Sequence, residues 1–146
     1  MQKRTFWRRT HGFTLIEIMI VMVIIAMLAA LVGPRVMGAL SSSKIKTTKI
    51  QIETLSSSVE AFQLDTGRFP TQEEGLQVLV ENPENSPIKN WRGPYLKKNS
   101  IPADGWGNQF VYEIPSKHKM PFDIYSSGAD GKPDGEGDSA DLGNWD

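Results

Sequence analysis

Cysteine is absent from this 146-residue sequence, and histidine occurs only at His11 and His118. Without cysteine, disulfide bonds cannot hold a small domain together, so other interactions must secure its loops. Two separated histidines, with no phosphate-binding glycine loop, no zinc-ligand spacing and no nucleophile elbow, form none of the common catalytic constellations. We therefore predict that the chain is not an enzyme and has no catalytic residues.

Neither sign of charge is in excess, since 16 lysines and arginines face 17 aspartates and glutamates, for a formal net charge of −1. The basic surface typical of nucleic-acid binding is therefore not predicted, and no nucleic acid is expected as a partner. The charges are unevenly distributed along the chain. Lys3, Arg4, Arg8 and Arg9 all precede the first acidic residue, Glu17, and many of the acids lie near the C-terminus.

A long apolar run follows the basic N-terminus. Between Phe13 and Val32 only Thr14 and Glu17 are polar. A helix of about twenty residues is roughly 30 Å long, which is enough to cross the hydrocarbon core of a bilayer. The positive-inside rule keeps the short basic arm in the cytoplasm. We predict a single membrane span over residues 13–32, with the rest of the chain on the opposite side.

Glu17 is the residue that a simple membrane anchor explains least well. A carboxylate within a span costs about 2.5–3.5 kcal/mol on insertion scales, and such residues usually mark a function. A cation at the same depth would compensate for this cost. If the chain were cut before Phe13, the new amine could pair with Glu17 of a neighbouring subunit. The alternative is that Glu17 lies close enough to the membrane surface to be hydrated.

The junction before the apolar run resembles the class III prepilin signal of type IV pilins and pseudopilins. It reads Gly12-Phe13-Thr14-Leu15-Ile16-Glu17. In that family a prepilin peptidase cuts after the glycine and methylates the new amine. The resemblance implies a cytoplasmic leader over residues 1–12 and processing between Gly12 and Phe13. It also implies that Phe13 and Glu17 set the register between subunits during assembly.

A helical pattern continues beyond the apolar run. Gly33-Pro34 predicts a kink or local unwinding, because proline removes a helical hydrogen bond. The alternative is that the helix ends near the weak helix formers of residues 38–43 and that a second helix starts at a serine cap. Unless it ends there, one helix of about 80 Å could run from Phe13 to Asp65.

Residues 44–65 are amphipathic, with one apolar face and one charged face. The apolar positions are Ile45, Ile52, Leu55, Val59 and Phe62. We predict that this face packs against the rest of the domain and that Gly67 caps the end of the helix.

The remainder of the domain predicts a small antiparallel sheet that covers the amphipathic helix. Strand patterns occupy residues 109–114 and 122–126, after a turn cluster at residues 104–108. A short helix is expected to start at Thr71, because Thr71 and Glu74 have the spacing of a capping box, and Leu76, Val78 and Leu79 would supply its buried side.

Two further stretches resemble the major pseudopilins of type II secretion systems. They are Phe69-Pro70-Thr71 with Gly75-Leu76, and Trp91-Arg92-Gly93-Pro94-Tyr95-Leu96. The resemblance implies an α+β, type IV pilin-like fold, in which a long N-terminal helix packs on a small antiparallel sheet. The periplasmic domain would comprise residues 33–146. That family usually has proline where this chain has Gly105, which leaves the type of the turn open.

The last segment, residues 126–145, is rich in glycine and carboxylates. Composition alone indicates disorder, but clustered carboxylates and glycine-rich turns also bind hard cations. An EF-hand is excluded, because Lys132 would occupy a ligand position. Segments 126–131 and 141–145 resemble the calcium loop of the major pseudopilins. The resemblance implies one calcium ion, with Asp130 and Asp141 at positions that match the family's ligands. The family's shortest form has adjacent aspartates where this chain has Ala140 before Asp141, so Asp138 is the candidate for the other carboxylate, and the backbone carbonyl of Ser127 is a further ligand.

The resemblance implies the main subunit of a periplasmic filament that helps to export folded proteins across the outer membrane. The chain would be a single-pass protein of the bacterial inner membrane with a periplasmic C-terminal domain. The partners would be further copies in a homopolymer, minor pseudopilins, the prepilin peptidase, and an inner-membrane platform with its assembly ATPase. A type IV pilin and a single-pass anchored calcium-binding periplasmic protein are the alternatives.

Overall fold

A computed structural model describes residues 12–146. Residues 1–11, and with them almost all of the predicted leader and its basic arm, lie outside the described residues. The chain divides into two compact units, the first ending at Ala39 and the second spanning Leu40–Asp146.

Helix α1 is a single 52-residue element, Leu15–Thr66. The local unwinding expected at Gly33-Pro34 is absent, and the helix does not end near Ser41. Proline removes one hydrogen bond and strains one turn, whereas the helical residues on both sides continue to propagate the helix. The alternative of two separate helices is therefore wrong.

The large apolar side chains of the first unit are not buried. From Phe13 to Met37 they are between 46% and 78% exposed. Among the described residues, α1 is the one helix long and apolar enough to cross a membrane, judged by length and composition. This surface requires an apolar environment outside the chain itself.

In the second unit, α1 contributes the predicted apolar face to the core. Ile52, Leu55, Val59 and Phe62 are at most 3% exposed, whereas Ile45 is only half-buried. Thr48 and Ser58 are buried on the same face, which the pattern of apolar residues did not indicate. Each has a local acceptor, because its hydroxyl donates to the carbonyl four residues earlier, at Lys44 and Thr54 respectively, over 2.9 Å.

The end of α1 confirms the predicted cap. The backbone of Gly67 has a φ of +78°, and its N–H donates to the carbonyl of Gln63 over 2.8 Å. Glycine adopts this left-handed conformation without the steric penalty of a side chain.

The predicted helix after Thr71 is shorter than expected. Both capping-box hydrogen bonds form: the Thr71 N–H donates to Glu74 over 2.8 Å, and the Glu74 N–H donates to the Thr71 hydroxyl over 3.3 Å. The residues that follow form turns and then the 3₁₀ turn Gln77–Leu79, instead of an α-helix. Leu76, Val78 and Leu79 are buried as predicted. Gly75 has a φ of +56°, and this left-handed backbone interrupts a right-handed helix directly after the capping box.

Three short antiparallel strands form one sheet in the order β1-β2-β3. They are β1 (Val111–Glu113), β2 (Asp123–Ser126) and β3 (Leu142–Gly143). The first two lie within the predicted ranges, with Tyr112 opposite Ile124. The third was not predicted, because two residues are too few to show an alternating pattern. The side chains of Tyr112 and Ile124 are buried in one core with those of α1.

Candidate functional site

The N-terminus of α1 forms a capping box between Thr14 and Glu17, an interaction of Glu17 within its own chain that the predictions above do not include. The Glu17 N–H donates to the Thr14 hydroxyl over 3.3 Å, and the Thr14 N–H donates to the Glu17 carboxylate over 3.4 Å. The spacing Thr-x-x-Glu before an apolar run is the sequence signal for this motif. Glu17 therefore has a local partner within its own chain. Its negative charge also lies at the end of the helix that favours anions.

The predicted processing residues lie just before this cap. Gly12 and Phe13 are outside the helix and exposed, and the side chain of Phe13 is 77% exposed. The peptide bond between them is not engaged in helical hydrogen bonding. Processing at this bond stays a prediction, as does the assembly role of Phe13 and Glu17.

The C-terminal loop has a defined hydrogen-bonding pattern where composition alone indicates disorder. Ser127 and Gly128 are buried. The Gly128 carbonyl accepts from the Asn108 side chain over 2.8 Å, and the Gly128 N–H donates to the Ser126 hydroxyl over 3.2 Å. The loop has two arms, the first containing Ser127 to Ala129 and the second containing Asp138 and Ser139. They meet where the Ala129 N–H donates to the Asp138 carbonyl over 2.9 Å.

The predicted calcium ligands lie on this loop, but their carboxylates do not converge. Within residues 12–146, no three acidic or histidine side chains are arranged as a metal site. The carboxylate of Asp130 is exposed and accepts from the Lys132 N–H over 3.1 Å. That of Asp138 accepts a hydrogen bond from the hydroxyl of Ser41.

Asp141 is the candidate ligand with unused acceptor capacity. Its Oδ2 accepts from the Asp134 N–H over 3.2 Å, whereas its Oδ1 is buried and has no hydrogen-bond partner among the described residues. A buried carboxylate oxygen without a donor is costly unless a cation or a water satisfies it. The loop's donors are hard oxygens, which is the chemistry that calcium prefers. The donor chemistry of the loop, with the unpartnered Oδ1 of Asp141, therefore suits a calcium ion, although the three carboxylates are not gathered around one point.

His118, which the sequence places between two lysines, is not isolated in the fold. Its ring stacks on Trp145 with centroids 3.6 Å apart, and its Nδ1 lies 3.0 Å from the carboxylate of buried Asp123. Burial alone would raise the pKa of Asp123. Hydrogen bonds from Ser116, the Lys117 backbone and His118 outweigh burial and hold that pKa below its ordinary value. Because His118 contacts both Trp145 and Asp123, it links the C-terminal residues to the domain in a chain that has no cysteine to form a disulfide.

A long helix with an exposed apolar half, joined to a small α+β domain, defines a type IV pilin-like subunit. The family profile described as "Prokaryotic N-terminal methylation motif" matches residues 7–33. The profile described as "Type II secretion system (T2SS), protein G" matches residues 35–145. The chain belongs to the type II secretion system protein G family.

Curated relatives agree over nearly the whole chain. The Type II secretion system core protein G of Pseudomonas aeruginosa is 45% identical over 141 residues, covering 95% of this chain and 97% of the relative. That of Vibrio cholerae is 38% identical, covering 94% and 93% respectively. That of Escherichia coli K12 is 39% identical, covering 94% and 92%.

The fold agrees with a solved structure, the major pseudopilin from the type 2 secretion system of enterohaemorrhagic Escherichia coli. The TM-score is 0.62 at 32% identity, with 75% of this chain and 92% of that chain covered. These findings confirm the predicted resemblance to the major pseudopilins and the predicted α+β fold. The calcium loop and its ligands remain predictions.

Proposed function

We propose that this chain is the main structural subunit of a type II secretion pseudopilus and that its work is assembly rather than catalysis. The exposed apolar half of α1 supports the proposal most directly, because its side chains need either lipid or the helices of other copies around them. The family membership supports it independently. The subunits would polymerise in the periplasm and help to drive folded proteins across the outer membrane.

Before assembly, the chain would span the inner membrane once, with its N-terminus in the cytoplasm and its domain in the periplasm. Prepilin peptidase would cut between Gly12 and Phe13 and methylate the new amine. The match to the methylation motif over residues 7–33 supports this step. The inner-membrane platform with its assembly ATPase would then supply the work of polymerisation, and minor pseudopilins would join the same filament.

Glu17 would serve two successive interactions. In the single subunit its carboxylate caps α1 through Thr14. In the filament it would pair with the Phe13 amine of a neighbouring copy, so that each added subunit neutralises a charge at membrane depth. An anchored calcium-binding protein that forms no filament would need only the first interaction.

Deletion of the gene in its own bacterium tests the proposed function. We expect the exported proteins to lose their signal peptides and accumulate, folded, in the periplasm, while secretion into the medium stops. Expression of the full chain from a plasmid should restore release. Normal release in the deletion strain would contradict the proposal.

We further propose that the C-terminal loop binds calcium. Asp130, Asp138 and Asp141 would hold the ion, with the Ser127 carbonyl as a further ligand. The unpartnered Oδ1 of Asp141 is the main support. When bound, the ion would neutralise the carboxylates and join the two arms of the loop, a role that a disulfide cannot take in a chain without cysteine.

Calcium should raise the melting temperature of the full chain in detergent by several degrees relative to a chelator. A ligand at about 10 times its Kd stabilises by about 1.4 kcal/mol, and each kcal/mol moves the midpoint of a small domain by about 4–8 °C. Asp141→Asn should remove most of the shift. Asp134→Asn, which removes one charge from the same loop without removing a proposed ligand, should keep it. Identical wild-type curves with calcium and with chelator would contradict the proposal.

A further inference from the structure

The turn at residues 104–108 is organised around a buried carboxylate. Asp104 is 6% exposed, and its Oδ1 accepts from the Trp106 N–H over 2.9 Å and from the Asn108 N–H over 2.7 Å. The Asp104 N–H in turn donates to the Asn108 carbonyl over 2.9 Å. A carboxylate that accepts several backbone N–H groups fixes the path of the chain around it. The backbone of Asn108 is thereby held through both its N–H and its carbonyl.

The turn is fastened to helix α1 through Gly105. The Gly105 N–H donates over 2.9 Å to the hydroxyl of Thr48, which is fully buried. A Cβ at position 105 would lie 2.5 Å from the Lys44 carbonyl oxygen, so only glycine allows this close approach. A proline at position 105 would have no N–H to donate to Thr48. The helix therefore serves as a fixed base for the turn.

The other side of the turn holds Gly128 at the start of the C-terminal loop. The Asn108 side chain donates to the Gly128 carbonyl over 2.8 Å. Asp104 reaches the same residue indirectly: its Oδ2 accepts from the Ser126 hydroxyl, which accepts from the Gly128 N–H over 3.2 Å. Both backbone polar groups of Gly128 are thus occupied by contacts that originate in the turn.

Gly128 is the point where the two arms of the loop come together. Its φ is +64°, and a Cβ on it would lie 2.6 Å from the backbone of Ser139. Ser127 precedes it on the first arm, and Asp138 precedes Ser139 on the second arm. A displacement of Gly128 would therefore move proposed ligands on both arms relative to each other.

We infer that Asp104 and Asn108 are positioning residues for the calcium loop, acting on the ligands through Ser126 and Gly128. The inference rests on the proposed calcium binding. Neither residue is proposed as a ligand. Groups that hold metal ligands in place from the second layer typically contribute tenfold to hundredfold in metal affinity. Asn108 is the more direct of the two, because its amide contacts the loop itself.

Calcium titration of the full chain in detergent, after removal of bound metal with chelator, tests this role. Asn108→Ala should weaken the calcium Kd by about tenfold to hundredfold. Ser126→Ala, which breaks the connection from Asp104 and loses only a hydroxyl, should weaken it in the same direction. The matched control is Asn82→Ala, because the Asn82 side chain also brackets a backbone segment, with the Ile88 N–H donating to it over 2.7 Å, in a loop without proposed ligands.

The melting temperature in chelator separates positioning from general stability. We expect Asn82→Ala to lower that temperature and leave the calcium Kd within about twofold of the wild type. The inference is overturned if Asn108→Ala and Ser126→Ala bind calcium as tightly as the wild type, or if Asn82→Ala weakens binding as much as they do. A folded wild type that binds no calcium would instead overturn the proposed calcium site and this inference together.

Discussion

We expect the replacement of Glu17 with leucine to abolish filament assembly while the protein remains inserted in the membrane. Leucine removes a carboxylate from an apolar helix and so improves the membrane anchor, by about 2.5–3.5 kcal/mol on insertion scales. The same change removes the proposed partner of the Phe13 amine on the neighbouring subunit. Assembly and insertion should therefore respond in opposite directions, which a defect in folding would not produce.

The matched variant Glu17→Gln separates the two interactions of this side chain. The glutamine oxygen can still accept from the Thr14 N–H, as the carboxylate does over 3.4 Å, but it carries no charge. We expect Glu17→Gln to assemble as poorly as Glu17→Leu. The measurement is the yield of sheared filaments relative to the amount of membrane-inserted subunit. Normal filament yield with Glu17→Gln would mean that Glu17 acts only as a helix cap. It would favour the alternatives in which Glu17 is hydrated at the membrane surface or the chain is a simple anchored protein.

We expect the replacement of Phe62 with alanine to lower the free energy of unfolding of the C-terminal domain by about 3–5 kcal/mol. The side chain is fully buried, and its ring makes an edge contact with Tyr95 at a centroid distance of 5.7 Å. A domain of this size has about 5–15 kcal/mol in total, so the loss is a large share of it. Denaturant melts of the full chain in detergent, followed by tryptophan fluorescence, measure the change.

Leu64→Ala is the control, because it truncates a large apolar side chain two positions later on the same helix. Leu64 is 83% exposed, so its truncation should stay within about 0.5 kcal/mol of the wild type. If the two variants lost equal stability, Phe62 would not be a core residue and the face of α1 that packs on the domain would be misassigned.

The sequence predicts those parts of the fold that depend on local patterns. The apolar face with Ile52, Leu55 and Val59 follows from helical periodicity, and the Gly67 cap follows from backbone chemistry. Strands β1 and β2 alternate over enough residues to be recognised. Strand β3 exists because Leu142–Gly143 pairs with β2, which is a contact between distant residues that a local pattern does not contain.

The contacts around the two candidate sites are likewise of two kinds, those that a local sequence pattern predicts and those that join distant residues. The Thr14 and Glu17 cap follows from the Thr-x-x-Glu spacing, whereas the apolar surroundings of Glu17 indicate only a charge within the membrane. Two contacts join residues far apart in the sequence. They are the stacking of His118 on Trp145 and the hydrogen bond from the Asn108 side chain to the Gly128 carbonyl. Thr48 and Ser58 are buried because they find carbonyl acceptors on the preceding turn, so residue polarity alone misassigns them.

The mass of the mature protein from membranes, with the sequence of its N-terminal peptide, tests the central claim most directly. Prepilin-type processing supplies the amine on which the proposed pairing with Glu17 depends. We expect a chain that begins at Phe13 and carries an N-methyl group. A chain that retains Met1, or one cut beyond Ala26, would have no amine at that depth and would contradict assembly through Phe13 and Glu17.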